Sequence, residues 1–304
     1  MNTLISIVCI GLGFVLLTKG ADEFVENASG LASKLHVSPL IIGLTIVAFG
    51  TSLPEFAVSL SASIEGSNEI ALGNVVGSNI FNLLVVAGAS AIFHPLICDK
   101  AILKRDWPIS IGAACILAVL LWDGVISRFD GFILMICFII SLILQFKSST
   151  SNQIETQTKS YSHYIVFLII GMACILIGSQ LTVNGAKSLA SLLGLSESFI
   201  GLTIVAIGTS LPELVTSVVA TKKGEHEIAL GNVIGSNIFN ILCILGVSSF
   251  VNPIIVNNAM IDVVVLIGIS VLYWFIAKYY KLNKMIGLSM VGIYILYTIF
   301  LFVR

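Results

Sequence analysis

Two glutamates, Glu55 and Glu213, stand inside long apolar stretches of the chain, where an unpaired charge costs several kcal/mol. The stretches at about 38–63, 70–93, 197–220 and 228–250 contain no Lys, Arg or His. Two equivalent acids facing each other without a counter-charge repel, so a shared proton or a bound cation must relieve them. The neighbouring side chains fit the cation. Thr51 precedes Glu55 by four residues and shares its helical face. Asn74, Ser78 and Asn82 recur every four residues on the next stretch and form one polar stripe. Thr209, Glu213, Asn232, Ser236 and Asn240 repeat the set. Every candidate donor is a hard oxygen: carboxylate, hydroxyl, amide or backbone carbonyl. That set suits calcium or sodium and argues against zinc, copper or iron.

The segment Gly50-Thr51-Ser52-Leu53-Pro54 is where carbonyls should become available. Proline has no N–H and its ring clashes with the carbonyl four residues earlier, so a helix breaks there. Carbonyls around Ala48 to Thr51 are expected to be freed, and likewise those around Ala206 to Thr209 before Pro212. Unwound backbone is tolerated at membrane depth only where it lines a polar cavity or is otherwise satisfied. Two bidentate carboxylates and two carbonyls bring the count to about six, within the range of about six to eight oxygens that calcium takes. Two plainer readings stand beside this one. Ser52-Leu53-Pro54-Glu55 also scans as a capping box. Gly73, Gly77, Gly231 and Gly235 read as small residues that let membrane helices approach.

The elements that carry these residues come in two copies. Ile42–Glu55 (IGLTIVAFGTSLPE) and Ile200–Glu213 (IGLTIVAIGTSLPE) differ only at Phe49 against Ile207. Glu69–Asn82 and Glu227–Asn240 differ only at Val76 against Ile234, and both pairs keep one offset, as do Pro95 and Pro253. Apolar runs near twenty residues mark ten bilayer-crossing helices, at about 2–20, 38–63, 70–93, 107–123, 129–146, 163–186, 197–220, 228–250, 259–278 and 285–303. Five crossings separate equivalent helices, and an odd number makes the copies run in opposite directions. Inverted repeats of this kind characterise secondary transporters, with binding near the midplane where the repeats meet. The polar run Lys147–Ser162 falls halfway and reads as a linker. The expected organisation is therefore an all-α polytopic membrane protein of ten transmembrane helices in two inverted five-helix repeats, 1–147 and 163–304, joined by a cytoplasmic linker at 148–162.

Composition agrees. The chain of 304 residues is 57% hydrophobic and 10% charged, against roughly 25% charged residues in soluble domains, and its mean hydropathy is +1.07. A net charge of −1 and the lack of a basic tract exclude nucleic-acid binding. The six cysteines form no CxxC or His/Cys pair and read as apolar packing residues. The N-terminus has neither a basic leader nor a cleavage site, so the first apolar run is expected to be retained as a span. Lys19, Lys34, Lys100, Lys104, Arg105, Lys147, Lys159, Lys222, Lys223, Lys278, Lys281 and Lys284 fall on one side, and Arg128, Lys187 and Arg304 on the other. The rich side is cytoplasmic, with both termini outside. Asp22, Glu23, Glu26, Glu65 and Glu69 read as a solvated loop face, and Trp107, Trp122 and Trp274 as interfacial anchors.

At GTSLPE and GNVxGSNIFN, in both copies, the sequence resembles the sodium/calcium exchanger family, within the wider cation/calcium exchanger superfamily, and the resemblance covers essentially the whole chain. It implies an antiporter, not an enzyme, that exchanges sodium for calcium by alternating access, with no cofactor beyond the transported ions. It implies that calcium is held by Glu55, Glu213 and the main-chain oxygens of Thr51 and Thr209. Sodium sites would flank the calcium, formed by Ala48, Thr51, Ser52, Glu55 and Ser78 in one half and by Ala206, Thr209, Ser210, Glu213 and Ser236 in the other. Asn82 and Asn240 would line the centre, and the first and sixth spans would slide across the core as the gate. Some members place an aspartate where this chain has Asn82 or Asn240, so potassium is expected to be dispensable here. The partners implied are calcium, sodium and the lipid bilayer, with no nucleic acid and a functional monomer in a prokaryotic plasma membrane. A proton/calcium antiporter using the same glutamates is the nearest rival, since burial favours the protonated carboxyl. A channel, which would usually present ligand rings from several subunits, is a more distant one.

Overall fold

The computed structural model describes residues 3–147, 159–193, 206–256 and 259–303. It is helical almost throughout. Helix α1 (Thr3–Lys34) is followed by α2 (Pro39–Thr51) and α3 (Leu53–Ile64), which meet at a 49° bend, and then by α4 (Asn68–Phe93). A π-helical turn at Ile102–Asp106 leads into α5 (Trp107–Leu120), and α6 (Arg128–Lys147) ends the first half. The second half contains α7 (Tyr161–Leu192), α8 (Ala206–Thr209), α9 (Leu211–Lys222), α10 (His226–Val251), α11 (Met260–Tyr279) and α12 (Lys284–Val303). Among the described residues seven helices are long and apolar enough to cross a membrane, or eight if the bent pair α2–α3 counts as one span. The fourth expected crossing rests on α5, only 14 residues long. The seventh rests on α8 and α9, and its first part, like residues 148–158 of the expected linker at 148–162, lies outside the described residues.

Two helix boundaries differ from expectation. The first and sixth spans are expected at about 2–20 and 163–186, but α1 and α7 run for 32 residues each, to Lys34 and Leu192. The reason for α1 is packing rather than composition: beyond residue 20 it buries Ala21, Phe24, Val25, Ala28 and Leu31, and Gly30 faces the Tyr164 ring of α7. Gly13 faces Gly178 and Thr182, Gly20 faces Gly171 and Cys174, and Gly185 faces the Ser6 carbonyl. As one number rises the other falls, so the helices lie antiparallel, and glycines at each crossing let the backbones close on one another. Asp22 and Glu26, which the helix now carries, lie 3.6 and 3.7 Å from the Lys223 ammonium. Lys159 lies 3.7 Å from Glu26.

The most apolar windows of α10 and α4 are 94% and 78% buried, against 17% for α12 and 22% for α6, so α4 and α10 are the central pillars. Helix α2 crosses α10 where Gly43, Gly231 and Gly235 bring backbone against backbone. Gly73 and Gly77 meet nothing within 4 Å among the described residues, and the stretch of the second half equivalent to Gly43–Val47 lies outside those residues, so the packing reading is tested only for Gly231 and Gly235, where it holds. At the outer rim α12 packs Gly287 on Gly88 of α4, while α6 packs Gly131 on Gly246 of α10, the same contact exchanged between halves. The connections are exchanged as well. Strand β1 (Val125–Ile126) pairs antiparallel with β2 (Ile254–Ile255), and Leu96 bridges to Leu282. One large apolar core joins α4, α5, α10 and α11 around Leu83, Leu84, Trp107 and Ile244. A second lies between α1, α7 and the start of α10, around Leu17, Phe24, Tyr164 and Ile228. Trp107 is therefore no interfacial anchor: it is 1% exposed and its indole donates to Ser270 Oγ at 3.3 Å. Trp274 donates to the Leu103 carbonyl, and only Trp122 is freely exposed.

Candidate ion-binding site

Both glutamates stand on the first turn of a helix that restarts after a break. Ser52 (φ −85°, ψ 8°) ends α2 and Ser210 (φ −92°, ψ 9°) ends α8, while Phe56 N–H and Leu214 N–H donate to the Ser52 and Ser210 carbonyls and resume the helix. Pro54 and Pro212 occupy the first turns of α3 and α9, where a missing N–H is harmless. Glu55 and Glu213 then sit at positive helix ends, and the negative ends of α2 and α8 point toward the same place. Neither serine caps its own helix, so the capping-box reading fails.

The serines instead reach across. Ser52 Oγ donates to Glu213 Oε1 at 2.8 Å, and Ser210 Oγ lies 2.8 Å from Glu55 Oε1 as its donor. Ser210 Oγ also approaches Ser78 Oγ at 3.2 Å, and Ser78 Oγ lies 3.4 Å from Glu55 Oε1. The Thr209 hydroxyl reaches the same Glu55 carboxylate. Thr51 Oγ1 donates to Asn232 Oδ1 at 2.9 Å. The hydroxyls of one half thus orient the acid of the other. The amides behind the acids act within each half: Asn74 Nδ2 donates to the Glu55 carbonyl and Ser59 Oγ, and Asn232 Nδ2 to the Glu213 carbonyl and Ser217 Oγ.

Not every expected carbonyl is free. Ala48 O keeps its helical partner, Ser52 N–H, at 3.1 Å. Gly208 O, which Pro212 cannot serve, accepts from Ser179 Oγ of α7 at 2.9 Å. Ala206 enters only as the first backbone residue of α8. Among the described residues, the buried side-chain oxygens without a hydrogen-bond partner include five from the two motifs: Glu55 Oε2, Glu213 Oε2, Asn82 Oδ1, Asn240 Oδ1 and Ser236 Oγ. Their residues are all 0% exposed. Among the described residues neither glutamate pairs with Lys, Arg or His. No cluster of three or more His, Cys, Asp or Glu forms among those residues. A buried acceptor left unsatisfied costs about 1–3 kcal/mol, and four of these five are strict acceptors when the acids are ionised. A cation is what such a set can hold.

The sequence stripe at 74, 78 and 82 passed over two residues that the fold brings in. Asn79 and Asn237 are buried at the contact between α4 and α10 and bond to Asn240 and Asn82. Their duplication inside GSN, three residues before Asn82 and Asn240 on a helical face, was the available signal. Also unforeseen are π-helical turns at Asn82–Val86 and Phe239–Ile244, which place a widened backbone at both central asparagines.

The family model described as "Sodium/calcium exchanger protein" matches residues 5–147 and 163–303. The sodium/calcium exchanger MaX1 of Methanosarcina acetivorans is 34% identical, over 96% of this chain and 97% of that protein. The inner membrane protein YrbG of Escherichia coli is 38% identical, over 80% of this chain and 78% of its own length. A solved structure of the sodium-calcium exchanger NCX_Mj, soaked with Na+ and Sr2+, superposes with a TM-score of 0.88 at 39% identity and covers 97% of this chain and 98% of that one.

Proposed function

This chain belongs to the sodium/calcium exchanger family, and from that we propose that it is a secondary antiporter that exchanges Na+ for Ca2+ by alternating access at one site between its two halves. The single observation that carries the reading is the set of orphaned acceptor oxygens on Glu55, Glu213, Asn82 and Asn240, two equivalent pairs buried with no protein cation beside them among the described residues. Two carboxylates balance one Ca2+, and the same two oxygens serve Na+ when calcium leaves, so the ions compete rather than bind together. Calcium is held by Glu55, Glu213 and the main-chain oxygens of Thr51 and Thr209. Sodium flanks it at Ala48, Thr51, Ser52, Glu55 and Ser78 and at Ala206, Thr209, Ser210, Glu213 and Ser236, with Asn82 and Asn240 lining the centre. The crossed bonds Ser52–Glu213 and Ser210–Glu55 support this arrangement, because a change at one acid is felt by the hydroxyl of the other half.

In this reading the chain has ten crossings, as two inverted halves, 1–147 and 163–304, with 148–162 on the cytoplasmic side. The exchanged contacts of α6 with α10 and of α12 with α4, and the antiparallel run of α1 on α7, are what such an inverted pair requires. The gathering of Lys34, Lys159 and Lys223 at one end supports a cytoplasmic face there, with both termini outside. Helices α1 and α7 slide across the site as a gate, moving as one pair because the glycines between them bring their backbones into close contact. The site is complete within one chain, which supports a functional monomer in the plasma membrane, and no cofactor is required.

The test is radioactive calcium uptake into sodium-loaded proteoliposomes diluted into sodium-free buffer, with a proton ionophore present. Uptake that needs the sodium gradient and survives the ionophore is the expected result. Uptake that appears only with a pH gradient would make the protein a proton/calcium antiporter using the same two acids.

A further inference from the structure

Asn79 and Asn237 contribute no orphaned oxygen to the donor set, yet they are 0% and 1% exposed and bond to each other's backbone across the contact between α4 and α10. Asn79 Nδ2 donates to the Asn237 carbonyl at 3.1 Å, and Asn237 Nδ2 donates to the Asn79 carbonyl at 3.2 Å. Asn240 Nδ2 donates to Asn79 Oδ1 at 3.0 Å, and Asn82 Nδ2 donates to Asn237 Oδ1 at 3.2 Å. The four bonds form two interlocked chains related by the repeat.

Each chain has one possible polarity. A backbone carbonyl only accepts, so the Asn79 amide must turn its NH2 toward Asn237 O. Its own oxygen then faces Asn240. Two amide oxygens cannot face each other in a buried contact, so Asn240 must present NH2 there, and its oxygen is turned the opposite way. Asn240 Oδ1 is the atom left without a partner, as is Asn82 Oδ1 by the same steps through Asn237. We propose that Asn79 and Asn237 are positioning residues that fix the amide orientation of Asn240 and Asn82 and so aim both side-chain oxygens at the transported cation; this rests on the exchange reading above. A free asparagine amide can present NH2 or oxygen with similar ease, and NH2 toward a cation repels it. The carbonyls of Asn79 and Asn237 thus set, through two side chains, which end of each central amide the ion meets. The pairing is crossed: Asn79 acts on Asn240, and Asn237 acts on Asn82.

The experiment is a pair of double-mutant cycles read in the sodium-driven uptake assay, with wild type alongside. Asn79→Ala is expected to raise the calcium concentration for half-maximal uptake by roughly tenfold, the loss of about one hydrogen bond to the aiming of the ligand, with the maximal rate kept within about twofold. Adding Asn79→Ala to Asn240→Ala should then change nothing further, whereas adding it to Asn82→Ala should multiply the two effects. Asn237→Ala should show the mirror pattern, silent on Asn82→Ala and multiplicative on Asn240→Ala. Multiplicative effects in all four combinations, or a lower maximal rate with the half-maximal concentration unchanged, would make the pair a structural staple and overturn the proposal. Where a variant transports too slowly, the calcium-dependent rise in the denaturation temperature of the purified protein gives the same cycles. If the alanine variants are not recovered from the membrane, Asn79→Ser and Asn237→Ser replace them and are read against the same two patterns. Failure of the wild type to take up calcium would instead count against sodium/calcium exchange itself, and calcium-dependent stabilisation would still decide the crossed pattern.

Discussion

Glu55 and Glu213 hold their positions through the opposite half of the molecule, which sets what each substitution should do. Glu55→Gln keeps the shape and the Ser210 contact but removes one of the two charges that balance a divalent ion. Breaking a buried charge pairing costs about 3–5 kcal/mol, so calcium uptake should fall by at least about a hundredfold, and Glu213→Gln should match it. Both proteins should reach the membrane in normal amounts, since the change relieves repulsion between like charges. Near-normal exchange by either variant would remove the site from these residues. The serines are one step weaker: they donate to the acids and do not replace their charge.

At the scale of the helix, two features separate the paired halves from a simple bundle. The first is the glycine seam between α1 and α7. A Cβ on Gly178 would lie 2.7 Å from the Gly13 carbonyl and the Leu17 nitrogen, both backbone atoms that cannot step aside. Gly178→Val should destabilise the protein by about 1–3 kcal/mol and depress exchange. Gly11→Ala, which meets nothing within 4 Å, is the control and should behave as wild type. Equal denaturation temperatures for the two variants would argue against a tight seam. The second feature is an asymmetry. Ser179 of α7 satisfies the Gly208 carbonyl that Pro212 cannot, while the equivalent position on α1 is Ala21. Ser179→Ala should therefore cost about 1–3 kcal/mol as a buried carbonyl loses its partner, visible as a lower denaturation temperature in detergent. Half-maximal calcium should not move, because this carbonyl is already committed to α7; a shift in calcium affinity would show that it serves the ion.

For the molecule as a whole, the balance of charge at the centre decides which ions are needed. With amides at 82 and 240, the buried site carries two formal negative charges, and Asn79 and Asn237 are neutral too. One calcium ion neutralises it without a second cation. Potassium is therefore expected to have no effect on sodium-driven calcium uptake, measured with and without potassium at fixed ionic strength; a clear stimulation would mean that another charge joins the site. The crossed serine bonds, the exchanged rim packing and the paired connections give the halves no separate sites, so each half expressed alone has only one acid and half of the donors.

The sequence by itself determined the membrane class and the internal repeat, and it named two acids with hydroxyls and amides that the fold brings together. It could do so because burial in lipid makes every charged or polar residue in an apolar run conspicuous, and because a near-identical repeat at one offset marks which of them recur in both copies. It also placed helix breaks within Gly50–Pro54 and Gly208–Pro212, since a proline's missing N–H acts within one turn, and the structure puts them at Ser52 and Ser210. The partners were beyond its reach. That Ser52 serves Glu213 and Ser210 serves Glu55, that Ser179 takes the Gly208 carbonyl, and that Asn79 and Asn237 orient the central amides all depend on residues about 30 to 160 positions apart. Periodicity records which residues share a face, so the stripe of every fourth residue found Ser78 and Asn82 and skipped Asn79. The length of α1 and α7 was likewise decided by tertiary contact: charged residues that end an isolated apolar span can extend a helix when a partner helix covers its face. Hydropathy reads one helix at a time against lipid, whereas the site is built where four helix segments meet, and only packing fixes which atoms there are left without a partner.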